Sequence, residues 1–264
     1  MCEPVTTRRT HSVPDDPTLL TDFNRDGYVS LPGFLNAGEV EEMLENVGRF
    51  IRECVPELPR EHVFYESLGD SSTLKQIQKV HEHDRYFGRC MTDSKFRQLA
   101  EILLEGEVIC QNMQYFNKPA GVGLPTPPHQ DGYYFMLNPC SAVTMWLALD
   151  WVDEENGCVR YVTGSHLLGM RAHRRTKTLG FSQGIADFPC ANDRLCERAF
   201  PARPGDLLVH HALTVHRADG NSSATRDRRA LGFIYYSEVA EPDAVAQADY
   251  QRRLTEEMAA AGKI

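Results

Sequence analysis

The chain has 264 residues, 42% hydrophobic and 25% charged, ordinary globular values that exclude a disordered, collagenous or coiled-coil chain. Its 28 basic and 37 acidic side chains leave a net charge of −9, so the molecule as a whole has no electrostatic attraction for nucleic acid or an anionic membrane. The length suits one barrel or double-sheet domain; no run approaches the ~20 apolar residues that span a bilayer, and the polar start, Met1 to Pro14, lacks the apolar centre of a signal peptide.

A cytoplasmic protein is therefore expected. Its eight cysteines are scattered without a CxxC pair, which favours free thiols over a zinc knuckle or a disulfide scaffold.

Residues 1–17, with Pro4, Pro14 and Pro17 among Thr, Arg and Asp, read as a tail, and 18–264 as a single domain. Within it we expect a helical preface over about 18–106, a β core over about 107–240 and a short C-terminal helix over about 241–264. Phe23-Asn-Arg-Asp-Gly-Tyr28 ends in a turn, and Val29-Ser-Leu31-Pro-Gly-Phe34 alternates like a short strand. Asn36 can cap a helix from Ala37 to about Cys54, in which Val40, Met43, Leu44, Val47 and Ile51 share a face. A second helix is predicted over Asp93–Glu105 from the stripe Phe96, Leu99, Ala100 and Leu103.

Strands are predicted at Val108–Phe116, Tyr133–Met136, Val143–Trp151, Cys158–Val162, Asp206–His211, Leu213–His216 and Arg229–Tyr236. Asn156-Gly157 has the composition of a hairpin turn. Many short strands behind a helical preface argue for a mainly β fold with α, a jelly roll or sandwich with its helices packed on one outer face.

The chemistry concentrates in Pro125-Thr-Pro-Pro-His129-Gln-Asp131-Gly132. Strand positions i and i+2 share a face, so His129 and Asp131 can offer an imidazole nitrogen and a carboxylate oxygen to one ion. A third ligand is available from the His210-His211 pair or from His216, beyond the turn Pro204-Gly-Asp206. Two histidines and one carboxylate on one face of an iron leave three positions open, as in non-haem Fe(II) oxygenases. His-x-Asp also arises by chance, and the plain alternative is a strand-end His hydrogen-bonded to a neighbouring Asp.

Further on, Arg228 and Arg229 enter an apolar β segment. An arginine facing inward there has to meet an anion, either an internal acid or the far carboxylate of a bound diacid. His81-Glu-His83 lies in the preface without a third ligand and reads as a solvated loop. The segment 168–199 exceeds the ~12–15 residues usual for structureless loops and suggests a lid. Its basic cluster, Arg171, His173, Arg174, Arg175 and Lys177, reads as a solvated face or as a site for an anionic substrate or the phosphates of a CoA ester.

Taken together, these residues resemble the phytanoyl-CoA dioxygenase family of Fe(II)- and 2-oxoglutarate-dependent oxygenases, whose fold is a cupin-like double-stranded β-helix of the jelly-roll type. The resemblance runs from Phe23 to Tyr236. It rests on the order and spacing of His129-Gln-Asp131, the Trp146 strand leading to Asp153-Glu-Glu-Asn-Gly-Cys158, Thr163-Gly-Ser-His166, Pro204-Gly-Asp206, His216 and Arg228.

The resemblance implies His129, Asp131 and His216 as iron ligands and Arg228 on the far carboxylate of 2-oxoglutarate, with Arg229 in its place if the register slips by one. It further implies Trp146 beside the co-substrate, Lys79 contributed from before the barrel, and Gln114 and Asn112 as further co-substrate contacts. Ala218 departs from the pattern, standing where close relatives carry a serine near the co-substrate.

The activity implied is hydroxylation of a small molecule, an anionic one being a candidate, with 2-oxoglutarate and O2 converted to succinate and CO2. A carboxylate as third ligand leaves no site for chloride and so favours hydroxylation over halogenation. Two other readings remain: a jelly-roll hydrolase or isomerase using zinc or nickel without 2-oxoglutarate, and a catalytically silent binding module.

Overall fold

The structure, a computed structural model, describes residues 13, 16–178 and 181–260. Most of the expected tail over 1–17 therefore lies outside the described residues.

The chain opens with α1 (Leu19–Asp26), β1 (Tyr28–Leu31) and α2 (Ala37–Glu53). It continues through β2 (Val63–Tyr65), β3 (Leu74–Ile77), α3 (Val80–His83), α4 (Arg85–Thr92) and α5 (Lys95–Leu103) to β4 (Val108–Lys118). Next come β5 (Thr126–His129), the single turn α6 (Gly132–Phe135), β6 (Leu137–Asn138), β7 (Ala142–Ala148) and β8 (Val159–Val162). The ribbon β9 (His173–Thr178) and β10 (Phe181–Ile185), α7 (Ala191–Cys196), β11 (Glu197–Phe200), β12 (Leu207–His211) and β13 (His216–Ala218) follow. β14 (Arg228–Ser237), β15 (Glu241–Pro242) and α8 (Ala244–Ala260) complete the order.

A seven-stranded sheet, β1-β12-β7-β14-β4-β3-β2, faces a four-stranded sheet, β11-β8-β13-β5, and every pairing in them is antiparallel. This is the jelly-roll core. Side chains alternate across the large sheet with period two. Val143, Met145 and Leu147 of β7, Val209 of β12 and Phe233 of β14 face outward, where they pack with Met43, Val47 and Phe50 of α2, Phe87 and Met91 of α4, and Leu99 of α5. Fully burying each such side chain contributes ~1.5–3 kcal/mol. Trp146, Ala148, Leu208 and Ala230 face inward and meet Val159 and Tyr161 of the small sheet.

The helix at 37–53 forms where its sequence says it should. The Asn36 side chain accepts from Gly38 and Glu39 N–H while Glu39 Oε2 accepts from Asn36 N–H, a complete capping box. The preface is less helical than expected, because β2 and β3, besides the expected strand β1, leave it to join the large sheet. Tyr133–Met136 is a helical turn rather than a strand: Gly132 N–H donates to Ala212 O at 2.8 Å, and Met136 N–H returns to Gly132 O at 3.1 Å. The apolar run there serves tertiary contacts that the local pattern does not reveal. Leu213 and Thr214 belong to a turn closed by Thr214 N–H on His211 O at 2.8 Å, and the strand begins only at His216.

Asn156-Gly157 is not a hairpin, since β7 and β8 lie in different sheets. Asn156 is buried and uses its amide to tie Asp153 N to Trp151 O, whereas Gly157, at φ 85°, sits where a Cβ would be 2.4 Å from Asp219 O. The described cysteines, Cys54 to Cys196, are free. No helix among the described residues is long and apolar enough to cross a membrane.

Candidate metal centre

β5 is an edge strand of the small sheet, a place that tolerates Pro127 and Pro128, which cannot donate to a ladder. It ends at His129. In the register of β5 with β13, His129 stands directly opposite His216, and their ring centroids are 4.1 Å apart. Asp131 reaches the same point by another route than strand alternation. It has left the strand, takes helical backbone angles (φ −60°, ψ −35°), and is followed by Gly132, where a Cβ would lie 2.4 Å from Cys140 Sγ. The close turn therefore depends on glycine.

His129, Asp131 and His216 each bring one ligand atom to within 4.8 Å of the others, a group that could hold a metal ion. Asp131 Oδ1 lies 3.3 Å from His129 Nε2 and 3.6 Å from His216 Nε2. The opposite ring nitrogens donate to backbone, His129 Nδ1–H to Pro127 O at 2.8 Å and His216 Nδ1–H to Thr214 O at 3.0 Å. A carbonyl only accepts, so in the neutral rings both Nε2 atoms present lone pairs to the shared point. Burial holds His216 well below its ordinary value, with His129 and His210 adding to the shift, so the ring stays neutral. Burial is also the largest influence on Asp131 and opposes its charge. The histidines that face it outweigh burial, His210 Nε2–H donating to Oδ2, and keep the carboxyl well below the usual range. Neutral imidazoles and an ionised carboxylate are the states a metal requires.

The cavity beside this group lies between the sheets. Trp146 of β7 lines it, and the Arg228 guanidinium lies over the Trp146 ring, 5.2 Å from its centroid. Arg228 is 4% exposed, its Nε has no hydrogen-bond partner among the described residues, and burial lowers its pKa to about 10. Arg229 points to the other face and chelates Asp150 at 2.6–3.2 Å. The strand register thus separates the two arginines: Arg228 faces the cavity and Arg229 an internal acid.

Lys118, Lys75 and Thr144 also line the cavity, and the sequence reading missed all three. Lys118 is the register partner of Arg228 and donates from Nζ to Leu124 O; Lys75 is buried against Glu66 at 3.0 Å. Only strand pairing reveals the lysines. Thr144, a lone hydroxyl within the apolar run Ala142–Ala148, was the available signal for the third.

Lys79, by contrast, lies outside the cavity lining: it is half-exposed and pairs with Glu82 at 3.5 Å, while its backbone N–H donates to Asn112 Oδ1 at 3.0 Å. The lysine from before the barrel that lines the cavity is Lys75. Asn112 is likewise not among the lining residues, and Gln114 sits behind Gln76, accepting from its amide at 2.6 Å. Ala218 lines the cavity without a polar group.

His210 points inward to Asp131, whereas the His211 ring neighbours Phe23 and His166. His81 and His83 lie on α3 rather than in a loop, and His81 Nδ1 accepts from Met113 N–H at 3.2 Å. The stretch over 168–199 is not structureless, since it contains β9, β10 and α7. In its basic cluster Arg171 is neutralised by Asp187 and Asp193, His173 stacks on Tyr133, and Arg174 and Arg175 are exposed; the Lys177 side chain lies outside the described residues.

Comparison with known proteins agrees with this geometry. The epimerase SnoN, solved with Fe3+, alpha ketoglutarate and nogalamycin RO, has a TM-score of 0.67 at 28% identity, over 84% of this chain and 83% of its own. EctD from S. alaskensis, solved with 2-oxoglutarate and 5-hydroxyectoine, has a TM-score of 0.71 over 88% and 80%; at 19% identity it speaks for the fold alone. Phytanoyl-CoA dioxygenase domain-containing protein 1 of Bos taurus is 28% identical over 261 residues, covering 82% of this chain and 88% of its own. The family model described as phytanoyl-CoA dioxygenase (PhyH) matches residues 23–230, most of the chain, and the chain belongs to that family.

Proposed function

We propose that this protein is an Fe(II)- and 2-oxoglutarate-dependent oxygenase that hydroxylates a small molecule. The observation that carries the reading is the presence in one cavity of a two-histidine, one-carboxylate group and a buried arginine without an ion-pair partner among the described residues. Such a donor set leaves three positions of an octahedral iron open. A zinc or nickel hydrolase and a silent binding module both leave Arg228 without a task. A desolvated guanidinium is costly unless an anion meets it.

His129, Asp131 and His216 would hold the iron, which together with 2-oxoglutarate and O2 supplies the oxidising chemistry when bound and releases succinate and CO2. Arg228 and Lys118 receive the far carboxylate of 2-oxoglutarate, with the guanidinium presenting a planar fork to it. Trp146 walls the co-substrate and fixes the arginine through ring contact. Lys75, already paired with Glu66, positions the cavity wall and adds no net charge.

The likeness to SnoN, whose own bound groups include Fe3+ and alpha ketoglutarate, supports the cofactor pair. The test is succinate release in air from protein supplied with Fe(II) and 2-oxoglutarate, followed by a metabolite screen for acceleration. A product one oxygen atom heavier than its substrate is expected. Succinate formation with a product of unchanged mass overturns hydroxylation in favour of epimerisation or rearrangement. No succinate with metal bound overturns the oxygenase reading.

A further inference from the structure

His210 belongs to the large sheet, yet it touches a ligand carried by the small one. Asp131 Oδ1 is the oxygen turned toward the two histidines, at 3.3 and 3.6 Å. Oδ2 faces the other way and accepts two hydrogen bonds, from Thr144 Oγ1–H at 2.6 Å and from His210 Nε2–H at 3.1 Å. A carboxylate oxygen has two lone-pair sites, and here both are taken. Accepting through Oδ2 also fixes the tautomer of His210: Nε2 carries the hydrogen, and in the neutral ring Nδ1 accepts from Tyr161 O–H at 3.0 Å. Tyr161 is itself clamped, stacked on Tyr28 at 4.9 Å and tilted against Phe200 at 5.3 Å. His210 is 3% exposed and Tyr161 0%, so water does not compete for these bonds.

Resting on the iron-binding reading above, we propose that His210, with Thr144, is a positioning residue that holds Asp131 to ligation through Oδ1 alone and thereby keeps three metal positions free. Two-oxygen ligation by Asp131 would break two buried hydrogen bonds and strand their donors, each at a desolvation cost. It would also fill a position that a two-point co-substrate and a third ligand need. Tyr161 acts one step further out by keeping the imidazole in the donating tautomer. The competing arrangement, His210 as a fourth protein ligand, requires its Nε2 to abandon Asp131.

The experiment is metal titration of the full chain with Co(II), read both as affinity and as the visible d–d spectrum, so that no turnover is involved. Removing a hydrogen bond to a metal ligand typically weakens metal binding by about 10–100-fold. His210→Ala is expected to lose that much, and His210→Gln, whose amide N–H can reach Oδ2, to regain most of it with the wild-type spectrum. Thr144→Val, close in shape, is expected to weaken binding in the same way and Thr144→Ser to restore it, which keeps the test open should His210→Ala fail to fold.

Affinity unchanged in both His210→Ala and Thr144→Val overturns the proposal. So does a His210→Gln spectrum that has lost an imidazole ligand. Wild-type protein that binds neither Co(II) nor Fe(II) overturns instead the iron-binding reading on which this one rests.

Discussion

Lys118 and Arg228 stand directly opposite each other on β4 and β14, and both side chains are buried at the same cavity. Like charges at opposite positions of a sheet repel, and burial denies them water. Lys118 accordingly lies well below its ordinary value through burial first and then through Arg228 and Lys75. A carboxylate between the strands, such as the far one of the proposed 2-oxoglutarate, would relieve both costs.

Arg228→Met should therefore divide affinity from stability. Losing one partner of a buried charge pair costs about 2–5 kcal/mol in binding, roughly thirty-fold to several thousand-fold in affinity. Without ligand the variant should melt no lower than wild type, because an uncompensated buried charge has gone. Calorimetric titration with 2-oxoglutarate and a thermal melt check the two halves. Equal affinity would remove Arg228 from the site.

Lys118 should couple binding to protons. In the free protein its amine holds a proton weakly; a bound dianion strengthens that hold, so the complex carries more protons than its parts. Affinity for 2-oxoglutarate then rises as pH falls through the interval between the two values. Titrations in buffers of different ionisation enthalpy should show proton uptake within that interval that Lys118→Met abolishes. Uptake that is undiminished in the variant contradicts this role.

His211 sets a separate pH dependence, of stability rather than binding. Burial, with His166 and His210 adding to it, lowers its pKa to about 4. The folded value lies below the unfolded one, ~6.5, so the unfolded chain takes up a proton that the fold refuses. Stability contributed here is complete above about pH 6.5 and falls as pH drops toward 4, by on the order of 3 kcal/mol at most. Urea unfolding at pH 7 and pH 4 should show a smaller difference for His211→Gln than for wild type.

The fold class and the pairing of His129 with Asp131 were legible because each rests on a pattern that survives in one dimension: alternation, capping, and a His-x-Asp beside prolines; the residues alone left His216 open beside His210 and His211, and the family resemblance singled it out. Even there the reasoning and the outcome parted, since Asp131 arrives from a helical turn and not from the strand face that suggested it. Tyr133–Met136 and Asn156-Gly157 were misread because distant partners decide their conformation, Ala212 in one case and Asp227 and Asp219 in the other. Lys75 was hidden for a related reason. Nothing local separates a lysine buried beside Glu66 from Lys79, four residues on and turned to solvent. The pairing of Lys118 with Arg228 needs the sheet register, which a single sequence does not carry.

Gly132→Ala should damage the metal group from outside it. A Cβ there meets Cys140 Sγ at 2.4 Å and Ala212 O at 3.3 Å, so the turn must move and Asp131 with it. Overpacking of this kind costs about 1–3 kcal/mol in stability. Metal affinity should fall as well, and adding Cys140→Ala should recover part of both. Failure of the second change to help either quantity would show that the clash is not with Cys140.

The most direct measurement is anaerobic addition of 2-oxoglutarate to the Fe(II)-loaded protein, followed by visible absorption. The expected result is a weak charge-transfer band in wild type that disappears in Arg228→Met at the same concentrations, and in Asp131→Ala along with the metal. Iron that binds at His129, Asp131 and His216 yet gives no band at any 2-oxoglutarate concentration would contradict the account at its centre.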